Sequence, residues 1–173
     1  MAERRYIIET VEPFESEVGR LVSMLEYTRY NTTLREVEGL TVKQLDTKVE
    51  GCDNTIGMLL LHMASVEEAF QIMTFGDRDL KDEEWSRLES GLDLMVIEEN
   101  EVAFYVDRLA EVRKRTLELF AGVGDEWLDR QSPFGWDHPA NHYFKWFHVF
   151  EDELNHRGQI RLIVKQLKKM EAN

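Results

Sequence analysis

Apolar residues recur along this chain in steps of three and four, the spacing that gathers side chains on one face of an α-helix. Phe14, Val18, Leu21, Val22 and Leu25 predict a first helix over about residues 12–36, with charged residues on its opposite face. Gly51, Cys52, Asp53 and Asn54 interrupt the chain; Asn54 is the expected N-cap of a second helix that runs to about Phe75, where Gly76 stops it. Val102, Tyr105, Leu109, Val112, Leu119 and Phe120 mark a third, closed by Gly122, Val123 and Gly124. A turn-rich loop through Ser132, Pro133, Phe134, Gly135 and Trp136 leads to a fourth, with Pro139 in its first turn and an end near Lys169. Between the second and third, the acidic stretch 77–100 holds a candidate short surface helix over residues 82–94. No stretch alternates with the period of a strand. The expectation is all-α, an antiparallel four-helix bundle with a short extra helix between helices 2 and 3.

On the fourth helix one stripe reads Val149, Asp152, His156, Ile160, Ile163 and Leu167, so an acid and an imidazole stand where the pattern expects apolar side chains. A carboxylate brought into a core stays charged only when it is paired or bound to a cation. Asp152 and His156 are four residues apart, about 6 Å on one helix face, and can close on one ion. His62 breaks the apolar run of the second helix in the same way, between Leu59 and Val66, and supplies a third donor. Two imidazoles and one carboxylate leave positions open on a metal, the pattern of a catalytic rather than a structural site. The plain alternative is a core histidine bonded to a carbonyl and an ordinary i,i+4 ion pair. His148 lies four residues before Asp152 and forms a rival pair with it. His148 and His156 are about 12 Å apart along the axis, so only one of the two pairs can serve one ion. His138 and His142 read as surface or pocket-rim residues. Trp136, Phe134 and Tyr143 either line a pocket mouth or pack under the loop.

Composition narrows the classes. A chain of 173 residues, 43% hydrophobic, can bury one substantial core, so residues 1–173 read as a single helical domain. The formal net charge of −13 argues against nucleic acid and against anionic membranes as partners. Lys165, Lys168 and Lys169 are accounted for by the helix dipole. Cys52 is the only cysteine, which excludes an intrachain disulfide; neither a charged-then-apolar leader nor an apolar run of about 18 residues is visible. The cytoplasm is the expected compartment. Cys52 has no evident activating neighbour and is a poor nucleophile candidate.

Asn54, Thr55, Ile56, Gly57, Met58, Leu59, Leu60, Leu61 and His62, followed by Glu67, resemble the second-helix signature of the DinB/YfiT-like superfamily; His156, Arg157, Gly158, Gln159 and Ile160 resemble its fourth-helix signature. The resemblance spans essentially the whole chain. It implies a four-helix bundle, commonly a homodimer, holding a divalent metal (Zn, Ni, Mn or Fe) with three side chains. It carries the ligand role to His62, His156 and position 152. Most members have histidine there, whereas this chain has Asp152. Relatives of the mycothiol-dependent maleylpyruvate isomerase type use glutamate, so a carboxylate can serve, and it shifts preference toward harder ions such as Mn, Fe or Zn.

The function this implies is a metal-dependent enzyme acting on a small-molecule substrate, either a transferase using a low-molecular-weight thiol or a hydrolase. An open position on such an ion takes water or a thiol and lowers its pKa. No residue stands out as general base; Glu67, Glu151 and His148 are candidates by proximity in sequence, and Trp136 is a further candidate site residue. The alternative is a non-enzymatic dimeric bundle, a stress or binding protein whose polar residues form a buried hydrogen-bonded network.

Overall fold

A computed structural model describes residues 7–89, 99–132, 134 and 140–172. The elements are α1 (Ser16–Thr28), a π-helical turn (Arg29–Thr33), α2 (Leu34–Val37), α3 (Val42–Asp46), α4 (Ile56–Phe75), α5 (Asp82–Glu89), α6 (Val102–Phe120), a 3₁₀ turn (Asp125–Asp129), β1 (Gln131–Ser132), β2 (Ala140–Asn141) and α7 (His142–Glu171). The expected first helix is therefore α1, the π turn and α2 in succession, and α4, α6 and α7 are the other three. The second helix is capped one residue later than expected: Thr55, not Asn54, accepts the Met58 N–H at 3.2 Å through its hydroxyl. α7 is capped by Asn141, whose side chain accepts the Phe144 N–H at 2.9 Å. Pro139 lies outside the described residues, as do residues 90–94 of the candidate surface helix. α3, closed by a reciprocal Thr41–Gln44 capping box, and the antiparallel β1–β2 ladder were not visible in the periodicity.

α4 is apolar on all sides because it runs through the middle of the bundle, between α6 and α7. By length and composition alone it would also pass as a membrane span, yet most of it is buried in protein and it carries a fully buried Glu67. Packing around α4 forms two apolar bodies. One, towards the β ladder, gathers Leu21, Leu25, Phe70, Met73, Phe120, Trp127, Trp146 and Val149. The other, towards the start of α4, gathers Leu59, Leu60, Met63, Tyr105, Leu109, Ile160 and Ile163.

In sequence, each long helix passes from one apolar body to the other through a charged residue: Arg29 after α1, Glu67 in α4, Arg113 in α6 and Glu153 in α7. All four are at most 2% exposed. Arg29 Nη2 lies 3.1 Å from Glu67 and 3.0 Å from Glu153, while Arg113 Nε lies 2.6 Å from Glu67. Thr116 donates to Glu67 at 2.6 Å, and Gln71 donates to Thr116 at 2.8 Å. Burying an ion costs several kcal/mol, so two cations and two anions persist there because they pair with one another, while Glu153 Oε1 is buried without a hydrogen-bond partner among the described residues.

Gly57 shows how tightly the body at the start of α4 is packed. A Cβ at this position would lie 2.7 Å from the hydroxyl of the buried Tyr105 and 2.9 Å from its ring. Gly57→Ala is expected to destabilise the fold by about 1–3 kcal/mol despite its gain in helix propensity. Urea denaturation checks this; equal or greater stability would mean that Tyr105 moves aside freely.

Candidate metal centre between α4 and α7

α4 and α7 run antiparallel, pairing His62 with the turn from Asp152 to His156 and Phe70 with His148. Asp152 Oδ1 is 3.6 Å from His62 Nε2 and 3.3 Å from His156 Nε2. The imidazole rings meet edge to face, with centroids 4.7 Å apart. One donor atom from each residue falls within 4.8 Å of the others. The three side chains are 13–19% exposed, which leaves the cluster sunk below the surface and reachable from it.

The donor set fits a divalent ion in its spacing and in the charge of its carboxylate. Ligands about 2.0–2.1 Å from a tetrahedral ion sit about 3.4 Å from one another, close to the two separations at Asp152. The same contacts, 3.6 Å and 3.3 Å, also suit ion pairs of Asp152 with protonated imidazoles, so proton and metal compete for these donors. Burial alone would raise the Asp152 pKa; hydrogen bonds and charge from the two facing imidazoles overcome this and hold its carboxyl well below the usual range, so it is ionised. Burial would likewise depress His156, and Asp152 raises it instead. His156 Nδ1 is buried without a hydrogen-bond partner among the described residues.

Of the two rival pairs, the one facing His62 is Asp152 with His156. His148 sits one turn away with Nδ1 3.4 Å from Glu151, stacked on Phe144 and edge-on to Phe70 and Phe134. Glu67 is the centre of the charge layer, held by Arg29, Arg113 and Thr116. Trp136 and His138 lie outside the described residues. His142 is not a surface or rim residue: it is 2% exposed, its ring lies 4.2 Å from Trp127 and its Nε2 lies 3.1 Å from Ser132 Oγ. Tyr143 is exposed, whereas Phe134 packs on Phe70 and Phe144. Further along α7, three to ten residues past His156, a cleft of about 350 Å³ is lined by Cys52, Asp53, Asn54, Gln159, Ile163 and Gln166, among others.

The sequence reading missed Arg29, Arg113, Glu153 and the buried Lys145, which donates to Ser132 O and Oγ at 2.7 and 2.6 Å. A signal existed for the first three. Arg29 follows Leu25 by four, Arg113 follows Leu109 by four, and Glu153 follows Val149 by four, so each continues an apolar stripe.

These features define an all-α bundle with a two-histidine, one-carboxylate cluster sunk between two helices. The chain belongs to the mycothiol-S-transferase family, whose model matches residues 20–168. Its backbone is similar to that of a DinB-like protein from Bacillus subtilis, with a TM-score of 0.61 and 15% identity over 86% of this chain and 92% of that one. Both findings agree with the DinB/YfiT-like resemblance. No curated protein matches the chain in sequence.

Glu67 gives the charge layer a pH signature. Burial would raise its pKa, but Arg113 and Arg29 lower it from 4.5 to about 2. Its contribution is therefore complete above the unfolded pKa and is lost as pH falls towards the folded one. Glu67→Gln should cost a few kcal/mol near neutrality, and its deficit against the parent should shrink as pH drops below about 4.5. Denaturant melts across that range test it; a deficit independent of pH would contradict the assignment.

Proposed function

We propose that the protein is a metal-dependent thiol S-transferase acting on a small electrophile, with His62, Asp152 and His156 as the metal ligands. The observation that carries the reading is the convergence of these three donors, from two helices, in a chain of the mycothiol-S-transferase family. Family membership also favours transfer over hydrolysis. A bound divalent ion supplies Lewis acidity, which favours the ionised form of a thiol at neutral pH.

The chain's own residues do the rest. Asp152 holds negative charge at the site, and the depth of the cluster limits water. The polar cleft beyond His156 suits the body of a low-molecular-weight thiol such as mycothiol. Phe70, Phe134, Phe144 and His148 form an aromatic shelf on the opposite side of Asp152, suited to an apolar electrophile. In the transfer a carbon–sulfur bond forms, the leaving group departs with its electron pair, and the thiol proton is lost. His148, half-buried, paired with Glu151 and one turn from Asp152 on α7, is the acceptor we assign to that proton. The resemblance further implies a homodimer, and the exposed Tyr143 and Phe147, one turn apart on α7, offer it an apolar face.

Protein purified without metal-affinity resin should carry about one divalent ion per chain by elemental analysis, and a chelator should lower its melting temperature, because a ligand that binds only the native state stabilises it. His156→Ala should abolish binding while leaving the helical circular dichroism nearly intact. Metal-free protein whose melt ignores chelator and added Zn, Mn, Fe or Ni would instead favour a non-enzymatic bundle.

A further inference from the structure

The charge layer lies directly behind the metal ligands. Glu153 adjoins Asp152 and precedes His156 by three residues; Glu67 follows His62 by five, about 7.5 Å along α4. One guanidinium joins the two: Arg29 Nη2 donates to Glu67 Oε2 at 3.1 Å and to Glu153 Oε2 at 3.0 Å, and Nε donates to Glu153 Oε2 at 3.1 Å. Its Nη1 reaches the Leu109 carbonyl of α6 at 3.3 Å. The helices that carry the ligands are thus tied by the Arg29 fork at hydrogen-bond distance, with Arg113 bonded to Glu67 and a longer 3.8 Å from Glu153.

Arg29 heads the π-helical turn, and Thr32 of the same turn accepts a hydrogen bond from Arg157, the residue after His156. The π turn therefore grips α7 three residues before His156 and one residue after it. Such turns recur at functional sites because the extra residue re-aims side chains that a regular helix would send elsewhere.

We propose that Arg29 is a positioning residue for the metal centre: by bridging Glu67 and Glu153 it sets the spacing and rotation of α4 against α7 that bring His62 to Asp152 and His156. The inference rests on the metal reading above. Aspartate makes the demand acute. Its carboxylate reaches one methylene less far than glutamate's, so a shift of about 1 Å between helices cannot be absorbed by a change of rotamer. Stability alone does not explain the layer, since replacing a buried ion pair by apolar residues of similar volume is often neutral or stabilising. Lysine would keep the charge but not the fork that engages both carboxylates.

The test uses Zn titration against a competing chelator and the visible absorption of the Co-loaded protein, which reports ligand arrangement independently of activity. Arg29→Met/Glu153→Met removes one charge of each sign and leaves the Arg113–Glu67 pair intact. It should melt at or above the wild-type temperature when metal-free, yet bind Zn at least about tenfold more weakly, with an altered Co spectrum. Arg29→Lys should weaken binding in the same direction, and it decides the matter if the double variant does not fold. Wild-type Zn affinity and an unchanged Co spectrum in a folded variant would overturn the proposal while leaving the metal reading standing. Wild-type protein that binds neither metal would overturn both.

Discussion

The bundle is organised by the buried pairing of Arg29 and Arg113 with Glu67 and Glu153. Four charges, one contributed by each helical segment, sit between two apolar bodies that could otherwise slide past one another, since leucines and valines interdigitate in more than one register. A charge layer tolerates only the register in which every cation meets its anion. Any slip by a turn leaves charges facing hydrocarbon, at several kcal/mol per ion. The apolar bodies supply the driving force for folding, and the layer selects which packed arrangement results.

That selection bears on the proposed metal site, because the His62, Asp152 and His156 cluster is built across the very helix pair that the layer spans. His62 and Asp152 belong to different helices and meet only if α4 and α7 keep one spacing and one rotation. Short side chains on rigid elements give a precise site provided that the elements themselves do not move. The cluster lies at the edge of the layer, one residue from Glu153 on α7 and five from Glu67 on α4.

The fold was legible in the sequence because helical periodicity is a local property: Val18, Leu21, Val22 and Leu25, or Ile160, Ile163 and Leu167, declare a face without reference to the rest of the chain. The donors were legible for the opposite reason, as residues that break their stripes; Asp152 and His156 stand out on α7, and His62 in the most apolar run of α4. Their convergence was not derivable, since the meeting of two helices depends on residues more than 80 positions apart. The charge layer escaped because Arg29, Arg113 and Glu153 look like ordinary solvated charges until their partners are known. Only the pattern across four helices, two charges of each sign at apolar positions, would have exposed it. His142 was misjudged because its surroundings, Trp127 and Ser132, come from the chain just before a loop that sequence alone does not fold back.

The most direct measurement is X-ray absorption at the metal edge of the loaded protein, freed of small thiols. Coordination by two imidazoles and one carboxylate predicts a shell of nitrogen and oxygen alone at about 2.0–2.1 Å for zinc, with the outer-shell scattering of two histidine rings. A sulfur at about 2.3 Å, which only Cys52 or a methionine can supply, or the absence of imidazole scattering, would contradict the account.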